Sequence, residues 1–164
     1  MSIMEHRGRP AWLLLSAFVV LADQLSKAYI IGHYLEFEFI RILPVLDITR
    51  MHNVGAAFSF LASASGWQRW VFIALALSVS IGITVWLLRL PRGAHALLTG
   101  GLALVLGGAL GNVIDRIRLG YVIDFIHLHW ERAYFPAFNV ADSAITAGAA
   151  CLLLDALLEA KRKK

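Results

Sequence analysis

Two short stretches hold the residues best suited to chemistry. In YVIDFI, Asp124 stands among apolar neighbours, and in AFNVADSAI, Asp142 lies three residues into a run apolar enough to span a bilayer. A charged side chain inside a membrane costs at least about 2.5–3.5 kcal/mol on insertion scales, so each is a functional candidate by default. Each also has a simpler reading. Asp124 fits the one outward carboxylate of an amphipathic interfacial segment. Asp142 follows Pro136 and Asn139, and with Asn139 as N-cap it falls at the third helical position, where a carboxylate suits the positive end of the dipole. If the two acids meet instead, at a separation of about 3 Å they cannot both ionise and must share one proton. One then acts as general base on a water while the other donates a proton to a carbonyl or a leaving amine, as in an aspartic protease. That chemistry needs neither metal nor cysteine.

Other polar residues sit where they need explaining. Asp23 and Lys27 are spaced i, i+4, acid first, the favourable order on a helix; they form a simple pair, or Asp23 holds a neighbouring segment near an active site. Asn53 lies in HNVGAAFSF, where Gly55, Ala56 and Ala57 leave room for close backbone approach, as at a groove or a tight turn. In GGALGNVIDRI, Gly107 and Gly111 form a small-xxx-small face for helix packing. Asn112, Asp115 and Arg116 follow, the last two readable as a surface pair, although adjacent helical residues do not face each other. Asp155 lies thirteen positions beyond Asp142, about 20 Å by helical rise, so it belongs near the C-terminal lysines and not with Asp142. Cys151 is the one cysteine; it reads as a small core hydrophobe and excludes an intramolecular disulfide or a cysteine metal cluster. The histidines show no ligand spacing beyond His127-x-His129, and no metal or other cofactor is expected.

The elements that must position these groups are membrane helices. The chain is 59% hydrophobic and 16% charged, with mean hydropathy +0.70, against about 45–50% apolar and about 25% charged in soluble domains. Four windows are long enough to cross, at about 11–32, 68–88, 94–114 and 140–160, in one integral-membrane domain over 1–164. Pro10, Pro91 with Gly93, and Pro136 fall at their margins. Residues 11–22 resemble a signal-peptide core, but no small-residue cleavage site follows, so a retained first span is expected. Arg7, Arg9, Arg89, Arg92, Lys161, Arg162, Lys163 and Lys164 make eight of the fifteen basic residues. Their segments place both termini and the short middle loop in the cytoplasm, and the links at about 33–67 and 115–139 outside. The net charge of +4 thus reads as topology and not as nucleic-acid binding. Trp67, Trp70, Trp86, Tyr121, Trp130 and Tyr134 fall near the interfaces, as an aromatic belt would. Phe37 to Met51 has strand character, with Pro44 at an edge or turn. The expected fold is an all-α membrane protein of four transmembrane helices. A small extracytoplasmic β-rich cradle covers it, and YVIDFIHLHW forms a separate interfacial segment able to act as a flap.

DQLSK, HNVGAAFSF, GGALGNVIDRI, VIDFI and FNVADSAI, in this order and over the whole chain, resemble the motif set of bacterial lipoprotein signal peptidase, also called signal peptidase II. The resemblance implies an aspartyl peptidase of the bacterial inner membrane. It would remove the signal peptide of a diacylglyceryl-modified prolipoprotein, cutting before the lipidated cysteine. It makes Asp124 and Asp142 the catalytic pair, with Asp23, Asn53, Asn112, Arg116 and Asn139 as supporting or substrate-holding residues; Lys27 and Asp115 are grouped with these. It further implies inhibition by globomycin-type cyclic peptides. Membrane lipid is an expected partner, and the enzyme is expected to be a monomer. Two rivals remain at this stage: a small transporter or channel subunit using Asp23, Asp124 and Asp142 as an ion path, and a scaffold whose acids only cap helices.

Overall fold

The computed structural model describes residues 10–55, 66–91, 93–131 and 133–162. Arg7, Arg9, Ala56, Ala57 with the FSF that follows, Arg92, Arg132, Lys163 and Lys164 lie outside them. Four helices are long and apolar enough to cross a membrane: α1 (Trp12–His33), α2 (Gln68–Arg89), α3 (Ala96–Arg118) and α4 (Val140–Arg162). α1 follows Pro10, whose carbonyl accepts the Leu13 N–H at 3.0 Å. α2 stops just ahead of Pro91, which has no N–H to continue the ladder. α3 runs four residues past the expected window, so Asp115 and Arg116 are helical.

Burial is inverted relative to a soluble protein. Leu14, Phe18 and Ile81 are exposed on the outer surfaces of the helices, while Asp23, Lys27, Asn112, Asp115 and Asn139 are buried. On α1 the buried residues are Ser16, Val19, Asp23, Lys27 and Ile30, a stripe at three- and four-residue intervals that carries the polar groups to one face. In lipid this is the stable arrangement, because polar groups must find partners inside the protein.

α3 is the central helix and touches each of the other three. Its glycines let backbones meet. A Cβ on Gly107 would sit 2.7 Å from Val19 Cβ on α1, and one on Gly108 would collide with the Ala141 carbonyl on α4. The small-xxx-small expectation therefore holds, with Gly108 adding a second face towards α4.

Both long links fold together at one end of the bundle. The strands β1 (Phe39–Leu43), β2 (Leu46–Asn53), β3 (Val122–Trp130) and β4 (Ala133–Tyr134) form an antiparallel sheet in the order β1-β2-β3-β4. Pro44 lies in the turn between β1 and β2. The YVIDFIHLHW segment corrects one expectation. It is no separate flap, because β3 is paired with β2 from Leu46↔Leu128 to Asn53↔Val122. The register breaks once, between Ile48 and Met51. Strand pairing satisfies the backbone groups of both links at once.

Candidate active site

The site is built on a buried ion cluster. Lys27 Nζ lies 2.8 Å from Asp23 Oδ2 and 2.8 Å from Asp115 Oδ2, and it donates to Asn112 Oδ1 at 3.0 Å. Its three protons thus meet three acceptors. The acids reach further: Asp23 Oδ1 accepts the Ala141 N–H at 2.9 Å, and Asp115 Oδ2 accepts the Ile123 N–H at 3.2 Å. One lysine on α1 therefore fixes Asn112 directly, and fixes the start of α4 and of β3 through its two carboxylates. The expected Asp23–Lys27 pair is present, and so is the alternative of Asp23 holding a neighbour. The surface-pair reading of Asp115 and Arg116 is wrong, because the two side chains leave the helix in different directions. Arg116 donates to the Gly55 carbonyl at 3.0 Å and lies over the Phe72 ring at 5.2 Å.

Asn139 and Asp142 form a reciprocal cap at the start of α4. The Asp142 N–H donates to Asn139 Oδ1 at 2.9 Å, and the Asn139 N–H donates to Asp142 Oδ2 at 3.3 Å. The capping reading is correct, but capping occupies only Oδ2. Oδ1 accepts from Asn112 Nδ2 at 2.8 Å. Asp124 is held by amides on both oxygens, Asn139 Nδ2 at 2.7 Å on Oδ1 and Asn53 Nδ2 at 3.0 Å on Oδ2. Asn53 is diagonal to Asp124 across the β2–β3 ladder, since Met51 pairs with Asp124 and Asn53 with Val122. Its own Oδ1 accepts the Gly55 N–H at 3.0 Å. Asn139 thus binds both acids, one by its backbone and one by its side chain.

Asp124 and Asp142 line one cavity of about 1070 Å³, together with Asn53, Asn112 and Arg116. It extends from the sheet, at Met51 and Leu128, along α4 past Ser143, Thr146 and Ala147 to Ala150. Its size is in the range of small-molecule and peptide sites. Burial is the first cause that pushes the Asp124 carboxyl up to about 7, and the neighbouring Asp142 charge is the second; Asn53 and Asn139 oppose both. At neutral pH the Asp124 carboxyl is therefore poised between its protonated and ionised forms. His52 also lines the cavity. Burial lowers its pKa despite Glu36, whose Oε1 lies 2.8 Å from its Nδ1.

All nine residues singled out in the sequence converge on this cluster and cavity. Sequence reasoning missed Gln24, whose Nε2 donates to Asp115 Oδ1 at 2.9 Å and to the Gly111 carbonyl at 3.2 Å. Its only sequence signal was a position beside Asp23. Asp155 is at the opposite end of α4, as expected, but buried, with His95 Nδ1 at 3.1 Å from Oδ1 and Glu159 Oε1 3.5 Å from the same nitrogen. Arg162 lies 3.2 Å from His95 Nε2. An arginine can only donate, so Nε2 accepts and Nδ1 carries the proton that faces Asp155. The acids do not occupy successive depths, as an ion path would require.

Comparison with known proteins gives a consistent picture. The profile of the family described as Signal peptidase (SPase) II matches residues 15–158. The chain is 57% identical over 150 residues to the lipoprotein signal peptidase of Pseudomonas fluorescens (strain Pf0-1), covering 90% of this chain and 88% of that one. The Pseudomonas aeruginosa protein of the same name is 51% identical over 154 residues, covering 93% and 90%. A bacterial membrane enzyme solved by the in meso method at 2.3 Å resolution superposes with a TM-score of 0.83 at 29% identity, covering 97% of this chain and 96% of that chain. A second, at 1.9 Å resolution, gives 0.78 at 28% identity, covering 95% and 98%.

Proposed function

This chain belongs to the signal peptidase II family, and from that premise we propose that Asp124 and Asp142 are the pair with which it cuts. It is an aspartic-type peptidase that removes signal peptides from prolipoproteins, in a multi-pass bacterial membrane protein. The observation that carries the catalytic assignment is Asn139, which bonds to both acids at the edge of one cavity.

A water seated between the carboxyls loses a proton to the ionised acid as its oxygen attacks the scissile carbonyl carbon. The protonated acid gives its proton to the carbonyl oxygen. When the tetrahedral intermediate collapses, the acid that took the water proton passes it to the departing nitrogen, the C–N bond breaks, and the other acid takes back the proton from the hydroxyl as the carbonyl re-forms. Which acid starts ionised is a property of the coupled pair, not of either residue. Asn53 and Asn139 hold Asp124, Asn112 and the α4 cap hold Asp142, and the Lys27 cluster keeps Asn112 and, through its oxygen, Asn139 in place. Asp23, Gln24, Lys27 and Asp115 are positioning residues. Arg116 holds the backbone at Gly55 beside the cavity.

The substrate carries a diacylglyceryl-modified cysteine, and the cut falls just before it. The stretch of cavity along Ser143, Thr146, Ala147 and Ala150 supports this reading, because those side chains are small and exposed on a helix that faces lipid. A lipidated peptide can enter there sideways. A globomycin-type cyclic peptide would compete for the same cavity. The sheet and the acids lie at the outer face of the inner membrane, with both termini cytoplasmic. Supporting this, Arg89, Lys161 and Arg162 lie at the helix ends away from the sheet. The enzyme works as a monomer of one domain, with α3 packed against every other helix. The test is the detergent-purified enzyme with a diacylglyceryl-modified prolipoprotein, read as a mobility shift. Asp124→Asn and Asp142→Asn should each remove the shift and leave the protein folded; cleavage surviving in either rejects the pair.

A further inference from the structure

α1 and α2 each pack along α3 and scarcely touch one another among the described residues. They leave a crevice of about 600 Å³, separate from the cavity that holds the two acids. Leu13, Ala17 and Val20 of α1 and Leu106 and Leu110 of α3 line it, and Gln24 closes one end. From Leu13 to Gln24 it rises about 16 Å, half of a hydrocarbon core about 30 Å thick. It occupies the half away from the sheet, which lies beyond the His33 end of α1. Two occupants are excluded. The side-chain donors of its walls are already engaged: Ser16 Oγ donates to the Ala103 carbonyl at 2.8 Å, Thr84 Oγ1 to the Ser80 carbonyl at 2.7 Å, and Gln24 Nε2 to Asp115 Oδ1 at 2.9 Å. Ordered water needs about two to four polar partners and finds too few. A helix about 10 Å across would displace roughly 1,300 Å³ over that height, twice the space there is. An alkyl chain needs no hydrogen bond and is about 4–5 Å wide at carbon contact distances, so it fits.

We propose that this crevice binds an acyl chain of one membrane phospholipid, from the leaflet opposite the sheet. Its effect reaches the reacting acids through Gln24, which is half-buried and stands between the crevice and the ion cluster. The Gln24 amide holds Asp115 and the Gly111 carbonyl, and Asp115 in turn holds Lys27. Hydration would weaken every attraction in that cluster. A chain end packed under Gln24 keeps the amide in place and closes the cluster off. No charged side chain lines the crevice, so the lipid is recognised by its tail and not by its headgroup. The binding stands independently of the catalytic assignment, and its effect on turnover rests on that reading.

The probe is a phospholipid with a photoreactive diazirine in its acyl chain. It is added to the full-length enzyme, stripped of lipid in a steroid-based detergent that has no alkyl tail to compete. Labelling of the wild type should saturate at one lipid per chain, on α1 between Leu13 and Gln24 and on α3 near Leu106 and Leu110. Unlabelled phosphatidylglycerol and phosphatidylethanolamine should compete equally. Ala17→Phe fills the crevice and should cut labelling tenfold or more. Leu153→Phe, on an exposed face of α4, should leave it unchanged. Lipid at about a hundredfold above its Kd should raise the wild-type Tm by about 5–10 °C, and should raise kcat severalfold with KM little changed. Ala17→Phe should show neither response. Labelling that never saturates, that spreads evenly over the four helices, or that falls equally in Leu153→Phe overturns the site. Displacement of the label by the diacylglyceryl-modified prolipoprotein assigns the crevice to substrate and overturns it too. Saturable labelling with an unchanged kcat refutes the link through Gln24.

Discussion

Replacing Lys27 by methionine keeps most of the side-chain stem and removes the charge that two buried carboxylates share. Lys27 is 2% exposed, Asp23 0% and Asp115 3%, so water does not reach in to compensate. Breaking a buried ion pair by deleting one partner costs about 3–5 kcal/mol. Here two carboxylates and the Asn112 oxygen lose a donor together, which places the loss at the upper end, about 5 kcal/mol. For a chain of this size that corresponds to a fall in Tm of roughly 10–20 °C, readable by tryptophan fluorescence in detergent. The catalytic consequence follows the same bonds. Asn112 loses its anchor and Asp142 loses its orientation, so kcat should fall about a hundredfold, as misplacement by about 1 Å does, with KM little changed. Adding Asp115→Asn to Lys27→Met removes one stranded charge and should recover part of the stability. A Lys27→Met enzyme that melts within about 2 °C of wild type and cleaves at the wild-type rate would refute the reasoning.

The raised Asp124 carboxyl gives a pH signature with a definite sign. Its pKa is 3.8 unfolded and about 7 folded, so its contribution is fully present below pH 3.8 and is lost as pH rises through 7, a swing of about 4 kcal/mol at most. Asp124→Asn should therefore gain Tm relative to wild type between pH 4 and 8, and a constant difference across that range would count against the raised pKa. In the active enzyme, kcat/KM should decline on the alkaline side as the pair loses its shared proton; a flat profile to pH 9 would exclude it. Asn139→Ser keeps a good N-cap but leaves the buried Asp124 Oδ1 and the Ile123 carbonyl without their amide donor, so stability should fall by about 1–3 kcal/mol. Serine cannot reach Asp124, and cleavage should drop by about a hundredfold; wild-type turnover would remove Asn139 from the positioning set. Gly108→Val drives a Cβ into the Ala141 carbonyl and should destabilise by about 1–3 kcal/mol, seen as a lower Tm; an unchanged Tm would mean α3 and α4 do not meet so closely.

Local signals carried much of this. Hydropathy located the four helices to within a few residues, except where α3 continues to Arg118. Helix periodicity paired Asp23 with Lys27, and Asn-Val-Ala-Asp announced the cap that begins α4. The failures share one cause. That Asp115 turns to Lys27 while Arg116 turns to Gly55 depends on which helix faces each side of α3. That β3 joins β2 depends on a register across about seventy residues, for which no local pattern exists. Gln24 has no charge or periodicity of its own to mark it.

By itself the sequence determined how many times the chain can cross a bilayer, where the helices start and stop, and which polar residues could not be left facing lipid. These follow from side-chain chemistry and from spacing within one turn of helix or one strand. Only the tertiary structure decided which partner each of those residues found. Such a choice is made between groups brought together by helix packing and strand pairing. It is settled by the free energy of satisfying all the buried charges and amides at once, not by any one segment.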